Sequence, residues 1–120
     1  MKINIKGTQY QLTAEVRDYL DKKLAAIGKF IDESQGEAIC DVELEHQNAQ
    51  KHGHVFRAEI NLNAHGEFFR VEDTGESMHA AIDAVHDEIV RRLRKGKNKS
   101  IRNVRRGGAK LKEMMRGDEI

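Results

Sequence analysis

What most limits the fold of this chain is a pair of segments in which apolar and polar residues alternate. Ala38, Cys40, Val42 and Leu44 alternate with Ile39, Asp41, Glu43 and Glu45. From Val55 onward, Phe56, Ala58, Ile60 and Leu62 alternate with Arg57, Glu59, Asn61 and Asn63. Successive strand side chains point to opposite faces, so period two makes strands with one face to bury and one to leave in water. A fully buried parallel sheet is excluded, because its strands read as almost continuous apolar runs. The sheet needs a second layer on one side only.

Two segments supply that layer. Val16, Leu20, Leu24, Ile27 and Ile31 recur at spacings of 4, 4, 3 and 4, an amphipathic helix with Thr13 placed to cap it and Glu15 in its first turn. Lys22, Lys23 and Lys29 fall in its second half. Met78, Ile82, Val85, Ile89 and Leu93 recur at 4, 3, 4 and 4 with Ala81 beside them, a second helix opened by Thr74-Gly75-Glu76-Ser77. Ile3 and Ile5 mark a short first strand. Asn63-Ala64-His65-Gly66 reads as a hairpin connection, and the strand after it turns Phe69 and Val71 in and Arg70 and Glu72 out. The order β-α-β-β-β-α, its last three strands an antiparallel meander, predicts an α+β two-layer sandwich. Two amphipathic helices lie on one face of a four-stranded sheet. Asp41, Glu43, Glu45, Glu59 and Glu72 are expected on the wet face.

A length of 120 residues suits one domain. Leu, Ile, Val and Phe number 28, or 23% of the chain, enough for a small core. No run approaches the roughly 18 apolar residues of a membrane helix, and the Met1-Lys2-Ile3-Asn4-Ile5-Lys6 start has no apolar stretch of a secretory signal. Cys40, the one cysteine, forms no internal disulfide, consistent with a reducing, cytoplasmic setting. The expected organisation is a folded region over 1–100 followed by a basic, mobile tail over 101–120.

Charge carries the functional information. Residues 1–90 hold 9 Lys/Arg against 17 Asp/Glu, whereas residues 91–120 hold 12 against 3. Arg91, Arg92, Arg94, Lys95, Lys97 and Lys99 fall within nine residues at the end of the second helix. Cations there complement the helix dipole, but one or two suffice, and six repel one another. The excess asks for a polyanion, and a phosphate backbone is the commonest one of that charge density. An acidic domain must meet such a partner in one orientation, through the basic helix end and tail, helped by Lys22, Lys23 and Lys29. Two helices running in the same direction would bring those clusters together. A solvated face is the bland alternative.

Other chemistry is weaker. His46, His52 and His54 surround one loop, and His79, Asp83 and His86 share a side of the second helix at zinc-compatible spacing. Neither set has a His-Glu-x-x-His signature or paired cysteines. No metal and no cofactor are expected. Cys40 alternates inward as an inert thiol, and neither a nucleophile elbow nor a phosphate-cradling loop is present. Phe68 is the one strand aromatic pointing outward, so no base-stacking sheet surface is expected. The reading is a binding protein, not an enzyme, without a small-molecule substrate and monomeric when free.

The run Gly75-Glu76-Ser77-Met78-His79-Ala80-Ala81-Ile82-Asp83, followed by Arg91-Arg92-Leu93-Arg94-Lys95 with Lys97 and Lys99, resembles the bacterial ribosome hibernation-promoting factors, the YfiA-type ribosome-associated inhibitors. Val55-Phe56-Arg57-Ala58-Glu59-Ile60 and Ile3-Asn4-Ile5-Lys6-Gly7 fit the same family, and the similarity covers about residues 1–100. The resemblance implies a fold like the double-stranded-RNA-binding domain. It also implies a translation inhibitor that binds small-subunit rRNA in the decoding region and occludes tRNA and mRNA. By carry-over, Arg91, Arg92, Arg94, Lys95, Lys97 and Lys99 form the rRNA-contacting basic helix, with Lys22 and Lys23 as lesser contributors. Three departures stand out. Ser77-Met78-His79 replaces the family's Asp-Met-Tyr, Gly96 is expected to interrupt the basic helix and leave Lys97 and Lys99 on a loop, and the long form's dimerisation domain is expected to be absent. Two other readings remain open: a generic double-stranded-RNA-binding module with a non-ribosomal target, and a metal-dependent nuclease using His79, Asp83 and His86.

Overall fold

A computed structural model describes residues 1–47 and 55–105, the side chains of 97–105 excepted. The expected loop residues His52 and His54 and the tail from 106 lie outside the described residues. Four strands, β1 (Lys2–Thr8), β2 (Ile39–His46), β3 (Phe56–Ala64) and β4 (Glu67–Gly75), and two helices, α1 (Ala14–Gly28) and α2 (Met78–Arg105), appear in the expected order. A short 3-10 turn, Glu33–Gln35, lies between α1 and β2.

The sheet order is β1-β2-β3-β4. β1 and β2 are parallel through the α1 crossover, while β2–β3 and β3–β4 are antiparallel. Register explains the alternation. Val42, Ile60 and Val71 fall in one row, and Cys40, Leu62 and Phe69 in the next. Their side chains, with Leu20, Leu24 and Ile27 of α1 and Ile82, Val85 and Ile89 of α2, make a single core between sheet and helices. The architecture is the α+β two-layer sandwich predicted from the sequence. Cys40 is fully buried, and burial, with Asp41 beside it, pushes its thiol up to about 11, the state of an inert core residue.

Local chemistry sets the ends of the elements. The Thr13 hydroxyl accepts from the Val16 N–H at 3.2 Å, so α1 starts where expected. It ends earlier than the apolar spacing predicts. The chain leaves the helix after Gly28, and the Phe30 and Ile31 N–H groups bond to the carbonyls of Ile27 and Gly28. Ile31 therefore lies in a tightened last turn, and Lys29 is the C-cap rather than a helical residue. The β3–β4 turn has positive φ at both central residues, His65 (57°) and Gly66 (73°), as a two-residue hairpin of the twist-matched kind requires. The His65 imidazole Nε2 also accepts from the Asp32 N–H at 2.8 Å, tying the hairpin to the segment after α1.

Gly75 joins β4 to α2 at close quarters. A Cβ there would come within 2.8 Å of the Ala81 nitrogen and 2.9 Å of the Ala80 Cβ. The Ser77 hydroxyl accepts from the Ala80 N–H at 3.1 Å and caps α2. Gly75→Ala is expected to force these backbones apart and cost about 1–3 kcal/mol. A denaturant midpoint equal to that of the parent chain would show that the junction yields without strain.

The wet face departs from expectation. Arg57 sits at its centre, with Glu43 at 2.9 Å, Glu45 at 2.6 Å, Glu59 at 2.9 Å and Glu72 at 3.1 Å. Arg70 adds a second contact to Glu59 at 2.8 Å. Glu59 is buried at 7% exposure rather than standing in water. The carboxylates that look solvated strand by strand are gathered by three-strand register around one guanidinium, whose planar fork serves several acceptors at once.

Candidate nucleic-acid interface

The chain divides into two units within α2, the first ending at Val90 and the second beginning at Arg91. The basic run belongs to the second. Arg91, Arg92, Arg94 and Lys95 are exposed, while Leu93 among them is buried. Positions three and four apart share a helix face, so Arg91, Arg94 and Lys95 present their charge together, with Arg92 a step around the helix.

Gly96 does not end this helix. α2 continues to Arg105, so Lys97 and Lys99 are helical in backbone rather than on a loop; their side chains are outside the described residues. A lone glycine costs a helix only about 1 kcal/mol, and good helix formers flank this one. Continuation also removes the dipole as an account of the cations. The dipole acts within the last turn, and Arg91 to Lys95 lie ten or more residues before Arg105. A Cβ at Gly96 would meet nothing within 4 Å. Gly96→Ala is therefore expected to raise helical circular dichroism and stabilise α2 by up to about 1 kcal/mol. Loss of helicity in that variant would show that the glycine is structurally required.

The lysines of the first unit part company. Lys22 is exposed. Lys23 is half-buried, and its Nζ lies 3.3 Å from Asp83 Oδ1 and 5.4 Å from the centre of the Tyr19 ring. The Tyr19 hydroxyl donates to the same Asp83 oxygen, and His79 packs on the Tyr19 ring with centroids 4.4 Å apart. Tyr19 and Lys23, four apart on α1, thus face His79 and Asp83, four apart on α2. The pairs ascend together, so these helix segments run in the same direction, as expected. Burial acts to lower the Lys23 ammonium pKa, but the Asp83 hydrogen bond and charge outweigh it and hold it above its ordinary value. Burial likewise acts to raise Asp83, and the Tyr19 and Lys23 hydrogen bonds overcome it, leaving the carboxyl below its ordinary range. Lys23 offers a largely compensated charge and Lys22 an open one.

This four-residue cluster was not read from the sequence. Its signal was there: two polar or aromatic pairs at spacing four, one on each helix, at the edges of the apolar stripes. Two of the three α2 residues considered as metal ligands, His79 and Asp83, belong to this cluster. Asp83 is occupied by Tyr19 and Lys23, and the His86 Nδ1 lies 2.9 Å from Asp87 Oδ1. Among the described residues no three His, Cys, Asp or Glu side chains gather as a metal would require. No helix among them is long and apolar enough to cross a membrane.

A profile of the family described as sigma 54 modulation protein / S30EA ribosomal protein matches residues 3–101. A ribosome hibernation promotion factor of Picosynechococcus sp. is 29% identical over 120 residues, covering 100% of this chain and 61% of the relative. A ribosome hibernation promoting factor of Azotobacter vinelandii is 33% identical over 102 residues, covering 84% of this chain and 87% of the relative. Among solved structures, the N-terminal domain of Protein Y from Thermus thermophilus superposes with a TM-score of 0.66 at 30% identity, over 79% of this chain and 98% of that domain. The chain thus spans less than two thirds of the Picosynechococcus relative and most of the Azotobacter one.

Proposed function

The chain belongs to the sigma 54 modulation protein / S30EA ribosomal protein family, and from that premise we propose that it is a ribosome hibernation factor acting in the cytoplasm. It binds the small subunit through rRNA and occludes the decoding region, where tRNA and mRNA would otherwise lie. The mechanism is occupancy and needs no bond-making chemistry. The observation that carries the reading is the exposed row Arg91, Arg92, Arg94 and Lys95 on α2, which the helix dipole does not explain. Lys97 and Lys99 extend the same basic helix, Lys22 is a secondary contact, and Lys23 acts mainly by holding α1 to α2. The relatives' hibernation-factor names support the ribosome as target.

Arginine supplies bidentate contact to phosphate and lysine a point charge. Each phosphate neutralised releases counterions, so affinity falls with salt at a log–log slope of about −0.7 to −0.9 per contact. Four contacts predict a roughly 50- to 150-fold loss of affinity between 50 and 200 mM salt. Cosedimentation with purified small subunits across that range tests this. Protein that stays at the top of the gradient at the lowest salt defeats the proposal. Equal affinity for free duplex RNA and for small subunits would move the target away from the ribosome.

A further inference from the structure

The two edges of the sheet differ in how they treat another strand. Both β1 and β4 pair on one side only among the described residues, leaving backbone groups that can template a further strand. On β1, Lys2 and Lys6 share the wet face. An antiparallel copy centred on Asn4 would set Lys2 against Lys6, a like-charge clash of the kind that protects edges. β4 carries Phe68, Arg70, Glu72 and Thr74 on that face, and Phe68 is 60% exposed. Here a copy of the strand meets opposite charge.

The backbone sets which register is possible. The two-residue turn at His65-Gly66 makes Ala64–Glu67 the closing hydrogen-bonded pair of the hairpin. Odd-numbered β4 residues then bond to β3, and even-numbered residues from Phe68 to Thr74 aim their N–H and C=O outward. Self-pairing therefore puts even-numbered residues opposite each other. A centre at Arg70 or Glu72 sets like charges together. A centre at Val71 sets Arg70 against Glu72 twice and Phe68 against Thr74 twice. Arg70 contacts Glu59 at 2.8 Å and Glu72 of its own chain at 3.9 Å, and a guanidinium with five N–H donors can add the partner's carboxylate to these.

We propose that β4 is a self-recognition edge: two copies of this chain pair antiparallel about Val71, continuing the sheet across a twofold axis with Arg70 of each facing Glu72 of the other. This departs from the monomer expected from the sequence. One added strand pair is a small interface, so the dimer is weak, and a twofold contact closes without fibre growth.

Sedimentation velocity of the full chain, freed of nucleic acid, should show mass rising toward the dimer with concentration. Glu72→Pro removes an outward N–H without breaking a β3 bond and should abolish this rise. A second readout does not depend on that variant folding. Val71→Cys with Cys40→Ser should cross-link to a covalent dimer under mild copper-phenanthroline oxidation, because facing non-hydrogen-bonded strand residues lie within disulfide reach. Phe69→Cys in the same background should not. A parent chain monomeric up to about 1 mM, the dissociation constant of a marginal complex, overturns the proposal. So does dimer retained by folded Glu72→Pro, or equal cross-linking at 69 and 71.

Discussion

Glutamate at positions 91, 94 and 95 together is expected to cut affinity for the small subunit by at least roughly 500-fold at 0.1 M salt. Each lost phosphate contact is worth about 0.9 in the log–log salt slope, or roughly eightfold at that salt, and reversed charge adds repulsion. The substitutions leave the core intact, since all three side chains are exposed and surface changes usually move stability by about 0.5 kcal/mol. The informative comparison is binding against thermal melting in the same preparation. Folded triple variant that binds within tenfold of the parent would place the contact elsewhere. Lys23→Glu should behave differently: it loses the Asp83 contact, so part of its effect appears in the melting curve.

Removing Arg57 is expected to cost about 1–3 kcal/mol, the usual loss when a buried polar group, here Glu59, is deprived of a hydrogen-bond partner. The guanidinium is 14% exposed and serves four carboxylates. Burial acts to lower its pKa, but hydrogen bonds to Glu59, Glu45 and Glu43 outweigh it and raise it further. In return, the Arg57 hydrogen bond holds Glu59 below its ordinary 4.5, against burial. Glu43 is held low first by Thr8, with burial opposing and Arg57 assisting.

The pH dependence follows with a definite sign. Carboxyls depressed in the folded state contribute stability that is present above their unfolded pKa and lost as pH falls through the folded one. The parent chain should therefore lose stability as pH drops below about 4.5. In Arg57→Met the same carboxylates repel one another, and buried Glu59 keeps Arg70 alone as its cation. Their folded pKa values then rise, giving stability that is present at low pH and lost as pH rises. Acidifying from pH 7 to pH 5 should stabilise the variant while leaving the parent nearly unchanged. Urea midpoints of both proteins at the two pH values decide it, and parallel behaviour would rule out the guanidinium as organiser of the face.

These two clusters mark how far the sequence could be read. The caps and strands were legible because their causes are local: Thr13 bonds three residues ahead, and period two is visible within eight residues. The basic run on α2 was legible for the same reason. The Arg57 cluster was not, because Glu43, Glu45, Glu59 and Glu72 look equally solvated until three strands take their register. Lys23 counted as an open cation because its partner Asp83 lies 60 residues away. Ile31 and Gly96 misled in opposite directions. Apolar spacing continued past the end of α1, and a glycine that often stops helices sits inside α2.

The β3–β4 turn has an implication for which sequences this fold can tolerate. Position 65 must accept a left-handed backbone, which glycine or asparagine would do with less strain than histidine. It must also reach the Asp32 N–H with a ring nitrogen, which glycine cannot do and the shorter asparagine is poorly built to do. Either demand alone leaves several acceptable residues, and together they leave few. Libraries randomised at the turn should find Gly66 replaceable by residues that tolerate positive φ. Position 65 should return histidine far more often than its ordinary turn propensity predicts.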